Sequence, residues 1–364
     1  MFNLKEKKEI LKREKGITLV ALVVTIIILL ILAGITISSL TNTGLFGRAK
    51  EAKEKTQAAE ENQAKTLNEY EDELNKYLGQ KLADKVKVGD YVTYTPDALD
   101  SNAVATLKSN LNTYSGNSSS TVNPAIKRDN LNWRVLDVQN GQVRLISEAP
   151  TTSKIELSGY NGYNNAVKLI DDACSTLYTN KQLASKVQNL KIEDITKYMK
   201  TQPTEDTTPY SPTNIKYPKI LEAEENQIVV NSITNNKLGV SRQISFVTGN
   251  DTSTTSTLKK TCWSQSMNNT DSFTNSKYYE LFINNGTNYP TYWMSSRCVF
   301  AYSDYANFRV RFVDSGGVNA DDLYYSYDGE YSFDYAFRPV ITLNSNVQIV
   351  SGDGKKAEQA YVIK

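Results

Sequence analysis

No residue between Ile17 and Gly47 carries a charge, and Ile17 to Leu40 are 24 mostly apolar residues. As a helix that run would rise roughly 36 Å, enough to cross a hydrocarbon core of about 30 Å with some tilt. The reading is a membrane span. In front of it stand Lys5, Lys7, Lys8, Lys12, Arg13 and Lys15 against Glu6, Glu9 and Glu14, a net of +3. By the positive-inside rule this end stays cytoplasmic and the rest of the chain is exported. The apolar run is too long for a cleaved secretory signal, and a lone glycine, Gly16, stands on its charged side.

Beyond the span, TNTGLFG (41–47) predicts a kink in the helix. From Arg48 to Leu78 the helix resumes, with Glu51 and Lys55, and Asp72 and Lys76, four residues apart where opposite charges help. Leu67, Tyr70, Leu74 and Tyr77 mark an apolar stripe whose last turns would pack on the globular head. After Gly79 the pattern turns to alternation. VKVGDYVTY reads as a strand with a turn, and WRVLDVQNGQVRLIS as a hairpin about Asn140-Gly141. SGNSSSTV reads as a flexible loop. Residues 165–200 carry helical spacing, and four prolines between 201 and 218 mark a surface excursion. RVRFV and PVITL alternate as half-buried strands do. The division is therefore a leader (1–16), a span (17–40), a helix continuation (41–78), a globular head (79–350) and a tail or final strand (351–364). The fold class is α+β, a long N-terminal helix followed by a mixed head with an irregular, mainly antiparallel sheet.

The order of basic leader, Gly16, Thr18-Leu19-Val20 and unbroken apolar helix resembles the start of a type IV prepilin. That resemblance covers roughly residues 12 to 78. It implies that a prepilin peptidase cuts between Gly16 and Ile17 and methylates the new Ile17 terminus. The helix would then pack against membrane lipid and other pilin subunits. The family's Glu at the fifth mature position is Ala21 here, which removes a favourable buried charge pair within a fibre. Some minor or tip pilins resemble this chain in lacking it. Within the head, VGDYV, WRVLDV, VRLIS, YWMSSR, Gly316-Gly317 and FRPVITL resemble an uncharacterised secreted bacterial module. That module is distantly similar to the C-type-lectin or sulfatase-modifying-factor fold, over about residues 84 to 345.

The chain has no histidine, which removes Ser-His-Asp and Cys-His nucleophiles and His-ligated zinc. No phosphate-binding loop or GxSxG elbow is present, and no catalytic residue, cofactor or metal is assigned. Without its leader the chain holds 35 basic against 37 acidic residues, so no nucleic-acid partner is expected. Export permits a disulfide, for which Cys262 and Cys298 are the candidates; buried free thiols are the alternative, and Cys174 is left over. Trp133, Trp263 and Trp293 could stack sugar rings, but core packing is the plainer reading.

A better contact surface is YYSYDGEYSFDY, with Tyr324, Tyr325, Tyr327, Tyr331 and Tyr335 as candidate ligand residues for a glycan or protein. Asp321, Asp322, Asp328, Glu330 and Asp334 have the oxygen chemistry of a calcium site without its loop spacing. Arg338 in FRPV suggests an ion pair anchoring the closing strand. The sequence points to an accessory or tip pilin-like subunit with an adhesive head, not an enzyme. A pseudopilin of a secretion or DNA-uptake machine and a membrane-tethered enzyme are the alternatives.

Overall fold

A computed structural model describes residues 21–35, 44–203, 209–210, 217–218, 246, 252–253, 258–259, 262–267, 269–284 and 289–364. It divides into two units, Met1–Leu78 and Gly79–Lys364. The first unit is helical over residues 21–35 (α1) and Leu45–Leu78 (α2). Every residue of α1 is exposed, including Leu22, Ile26, Leu29 and Leu30, so among the described residues nothing covers its apolar surface. Among the described residues no helix is long and apolar enough to cross a membrane; only 21–35 of the expected span is described. Gly16 and Ile17, the expected processing site, lie outside the described residues.

Gly44 stands at positive φ before α2, and the Arg48 N–H donates to its carbonyl. The helix carries Glu51 and Lys55 at 2.7 Å, as the spacing predicts. The apolar stripe is not packed where it can be seen: Leu67 and Tyr70 are 59% and 68% exposed. Asp72, Leu74, Lys76 and Tyr77 have side chains outside the described residues.

The second unit is α+β, with two mixed sheets. One has eight strands in the order β1 (Gln80–Lys81), β18 (Gln348–Ser351), β19 (Tyr361–Ile363), β2 (Tyr91–Thr93), β3 (Trp133–Gln139), β4 (Gln142–Ser147), β17 (Pro339–Leu343) and β6 (Ala184–Asn189). The other runs β11 (Gln265–Ser266), β14 (Gly317–Tyr325), β13 (Ala306–Asp314), β12 (Tyr292–Ala301), β16 (Ser332–Ala336) and β5 (Lys154–Ser158), with β15 (Gly329–Glu330) on β14. Two short ladders join β7 (Pro209–Tyr210) to β10 (Leu258–Lys259) and β8 (Tyr217–Pro218) to β9 (Thr252–Ser253). Pairing is antiparallel except where β19 lies beside β2 and β12 beside β16. The C-terminal residues thus enter the sheet as β19.

Local sequence explains several elements. Asn140 and Gly141 both take positive φ, which lets the two-residue turn match the strand twist between Gln139 and Gln142. Asp100 starts α3 (Ser101–Tyr114) by accepting the Asn102 and Ala103 N–H groups. The chain also forms α5 (Ile192–Thr196) and α6 (Ser276–Phe282).

The central helix is α4 (Gly159–Tyr178), which packs on α3, β5, β6 and β12 and has 13 buried residues. Its apolar stripe of Val167, Ile170, Ala173, Cys174 and Leu177 faces the core, while Lys168 and Asp172 pair on its more open side. The SGNSSSTV segment is not loose: Glu156 accepts Ser120 Oγ and Asn117 Nδ2, while Asn123 exchanges hydrogen bonds with the Glu156 backbone. Asn123 thereby serves part of the exposed edge of β5 as a neighbouring strand would.

Two chain segments cross between the sheets side by side. Residues 148–153 lead from β4 to β5, and Phe337–Arg338 lead from β16 to β17. Thr151 and Phe337 tie the crossings together through Thr151 N–H to the Phe337 carbonyl (2.9 Å) and the Phe337 N–H to Thr151 Oγ1 (3.0 Å). Arg338 is fully buried there. The expected ion pair is absent among the described residues. Its donors instead meet the carbonyls of Ser147, Glu148 and Phe282 and the Tyr292 hydroxyl, between the rings of Tyr289 and Tyr292.

Another buried cation, Arg144, is paired: it grips Asp137 with two hydrogen bonds (2.6 and 2.7 Å) and reaches Asp194. Burial works to raise the Asp137 pKa, but Arg144, with Tyr198 and Gln139, outweighs it and holds the carboxyl below the usual aspartate range.

The Arg338 and Arg144 arrangements can be tested by substitution. Arg338→Met takes both donors from the buried Ser147 carbonyl, while the Glu148 and Phe282 carbonyls keep the Tyr289 and Tyr292 hydroxyls, and should cost about 3 kcal/mol in urea unfolding. For Asp137 the folded pKa is depressed, so its stabilisation is fully present above the unfolded value of about 3.9 and disappears as pH falls through the lower folded value. Asp137→Asn should lower stability at pH 7 and make the loss of stability from about pH 4 to pH 2 shallower; unchanged slopes would reject this role.

Candidate functional site

The seven-stranded sheet ends in two neighbouring turns. Residues 302–305 link β12 to β13, closed by the Tyr302 N–H on the Tyr305 carbonyl at 2.9 Å. Residues 326–328 link β14 to β15. The turns are held together because Ser326 N–H donates to the Ala306 carbonyl, and Ser326 Oγ accepts the Ala306 N–H. Strand register then sets Asn307 opposite Tyr325. Four tyrosines meet as a result. Tyr305 has ring centroids 5.0 Å from Tyr302, 5.6 Å from Tyr325 and 5.9 Å from Tyr327.

Tyr327 is 60% exposed and donates to Asp304 Oδ2 at 3.2 Å. Phe300 extends the group through Tyr302 (5.0 Å), and Arg309 covers Phe300 while pairing with Asp322. Exposed aromatic rings beside carboxylates can stack on a ring-shaped ligand and hydrogen-bond its polar edge.

The five expected tyrosines do not form one surface. Tyr325 and Tyr327 join the turn cluster. Tyr331 is exposed and donates to Asp328 Oδ2 at 3.2 Å. Tyr324 is half-buried, 6.0 Å from Phe308 and 6.1 Å from Tyr160. Tyr335 packs on Trp293 at 4.5 Å and Phe312 at 5.3 Å and gives its hydroxyl proton to Asp321. Both partners are shifted: burial, then the hydrogen bond to Asp321, raises the Tyr335 pKa, and burial pushes the Asp321 carboxyl up against the lowering effect of the Tyr335 hydroxyl. Phe300, Tyr302, Asp304 and Tyr305 were missed because they sit in a different stretch; the signal was the AYSDY turn between two alternating strands.

The carboxylates of this region are dispersed over different partners: Asp322 on Arg309, Asp321 on Tyr335, Asp328 on Tyr331 and Asp334 on Lys154. Among the described residues no three Asp, Glu or Cys side chains gather as metal ligands. Trp133 and Trp293 are core residues, and Trp263 is half-buried with its ring 4.5 Å from the Arg311 guanidinium, so the three make no platform. The Cys262 and Cys298 sulfurs are bonded, with Cα atoms 4.9 Å apart, while Cys174 is a buried thiol in α4.

Comparison of the chain with protein-family models, curated proteins and solved structures gives no match. The pilin-like and lectin-like resemblances rest on the residues that carry them.

The division of the tyrosine run can be checked by stability. Tyr335→Phe strips a half-buried carboxyl of its hydroxyl donor and should cost about 1–3 kcal/mol. Tyr327→Ser should stay within about 0.5 kcal/mol of the parent chain in the same urea titration. Equal effects would mean that the run does not divide into an inward and an outward half.

Proposed function

We propose that this chain is a type IV pilin-like surface protein, an accessory or tip subunit that enters the membrane by its N-terminal helix and displays its head for adhesion or ligand binding. The observation that carries the reading is the uncharged run from Ile17 to Gly47 directly behind a basic leader ending in Gly16. It gains support from α1, whose apolar side chains are exposed all round and need lipid or other helices as their solvent. The polar, salt-bridged α2 beyond it suits a stretch outside the hydrocarbon.

Prepilin peptidase, other pilin subunits and membrane lipid are the partners of the N-terminal helix in this reading. With Ala21 in place of the family's glutamate, packing along a long fibre lacks one charge pair, which favours a position at a tip or in small number. For the head, the cluster of exposed Tyr327 with half-buried Tyr302, Tyr305 and Tyr325 is the contact surface, with a glycan or protein as ligand. Their spread of ring orientations with Asp304 alongside supports recognition of a polar ligand with a flat face.

The test is the mass and N-terminal sequence of the membrane-extracted protein after co-expression with an active prepilin peptidase. The expected product begins at a methylated Ile17. A retained leader under active peptidase would overturn the reading in favour of a single-span anchor.

A further inference from the structure

Beyond β2 the chain continues extended through residues 94–97, opposite the loop that leads into β3. Between them is a cleft of about 290 Å³ whose lining includes Tyr94, Pro96, Arg128, Leu131 and Trp133. It is contiguous with a second cleft of about 280 Å³, which shares Tyr94, Leu131 and Trp133 and adds the polar side chains of Thr93 and Asn132. Asn130 lines both.

The floor is rigid. Tyr94 and Trp133 meet edge to face at 5.3 Å, and the Tyr94 hydroxyl donates to the Tyr178 carbonyl while accepting the Asn180 N–H. Arg128 is the unusual member of the lining. Its Nε donates to the Leu177 carbonyl, and its two terminal nitrogens make no hydrogen bond or ion pair among the described residues.

Two carboxylates are near: Asp129 lines the first cleft and the charge of Asp97 acts on Arg128, but neither pairs with the guanidinium. Asp129 accepts Thr152 N–H and Oγ1 and Ser153 N–H, and Asp97 accepts the Lys181 N–H. A partly buried guanidinium with its fork unused, on the wall of a preformed cleft, is complementary to a ligand carboxylate. The apolar Pro96 and Leu131 suit the C–H face of a ring, and the Thr and Asn rim of the neighbouring cleft suits hydroxyls.

We propose that the paired clefts bind an acidic oligosaccharide, a uronic-type carboxylate lying on the Arg128 fork and the next sugar ring entering the cleft lined by Thr93, Asn130 and Asn132. Burial lowers the Arg128 pKa, a desolvation that a ligand carboxylate would offset. The site lies within the head and is separate from the tyrosine turns, so its test does not depend on how the N-terminus is processed.

The experiment is a calorimetric titration of the full-length protein in detergent micelles with digalacturonate and with its uncharged counterpart, galactobiose. Saturable binding of digalacturonate is expected, with galactobiose at least about tenfold weaker. Arg128→Gln should abolish that preference, Asn130→Ala should weaken both sugars, and Asp271→Asn, at an exposed surface position outside both clefts, should change neither. The comparison of charged with neutral sugar needs no variant and stands even if Arg128→Gln unfolds. No saturable digalacturonate binding up to about 10 mM, equal affinity for the two sugars, or loss of binding in Asp271→Asn would overturn the assignment.

Discussion

A guanidinium sealed from water destabilises a fold unless its donors find oxygen, and Arg338 meets that condition with carbonyls and a hydroxyl. The positions of those acceptors are what make it central. Ser147 ends β4 and Glu148 opens the crossing, Phe282 ends α6, and Tyr292 begins β12, so one side chain fixes elements of both sheets around the crossing. Its own N–H is taken by Asn189 Oδ1 at 2.6 Å, and Asn189 Nδ2 reaches the Trp293 carbonyl at 2.8 Å. Arginine can do this because its planar fork offers several donors in fixed directions; lysine could not reach as many carbonyls at once.

With the crossings fixed, both candidate surfaces have their places set. The β4–β5 and β16–β17 segments run through both sheets as neighbours, which aligns the seven-stranded sheet with α4 against it. That sheet carries its long antiparallel strands, β12, β13 and β14, to one end, where short turns leave tyrosines outside. In the eight-stranded sheet, β2 lies between β19 and β3, and the extended chain after β2 forms one wall of the paired clefts. Exposed rings at turns tolerate change in a way that buried rings do not, so a ligand surface there can vary without disturbing the core.

Local chemistry was legible wherever a short stretch decides its own conformation. Asn140-Gly141 specifies a hairpin because both residues tolerate positive φ, and the helical spacing from Val167 to Leu177 belongs to α4 as read. The reading failed where a distant partner decides. SGNSSSTV has the composition of a loose loop, yet Glu156, more than 30 residues away, pins it. Arg338 looked like half of an ion pair because sequence cannot show that four neutral oxygens converge on it. Tyr335 looked like its neighbours Tyr327 and Tyr331, and only the strand register turned it toward Trp293.

By itself, the sequence determined that an uncharged stretch long enough for a membrane stands behind a basic leader, that histidine chemistry is excluded, and that the head mixes helix with alternating strands. These properties depend on composition and on neighbours a few residues apart. Tertiary structure alone decided which tyrosines share a surface, where Arg128 faces an open cleft, and that the last residues enter the sheet beside β2. Each of those depends on pairing between segments remote in the chain, and the register of such pairing is set by the whole core and not by either strand's own residues.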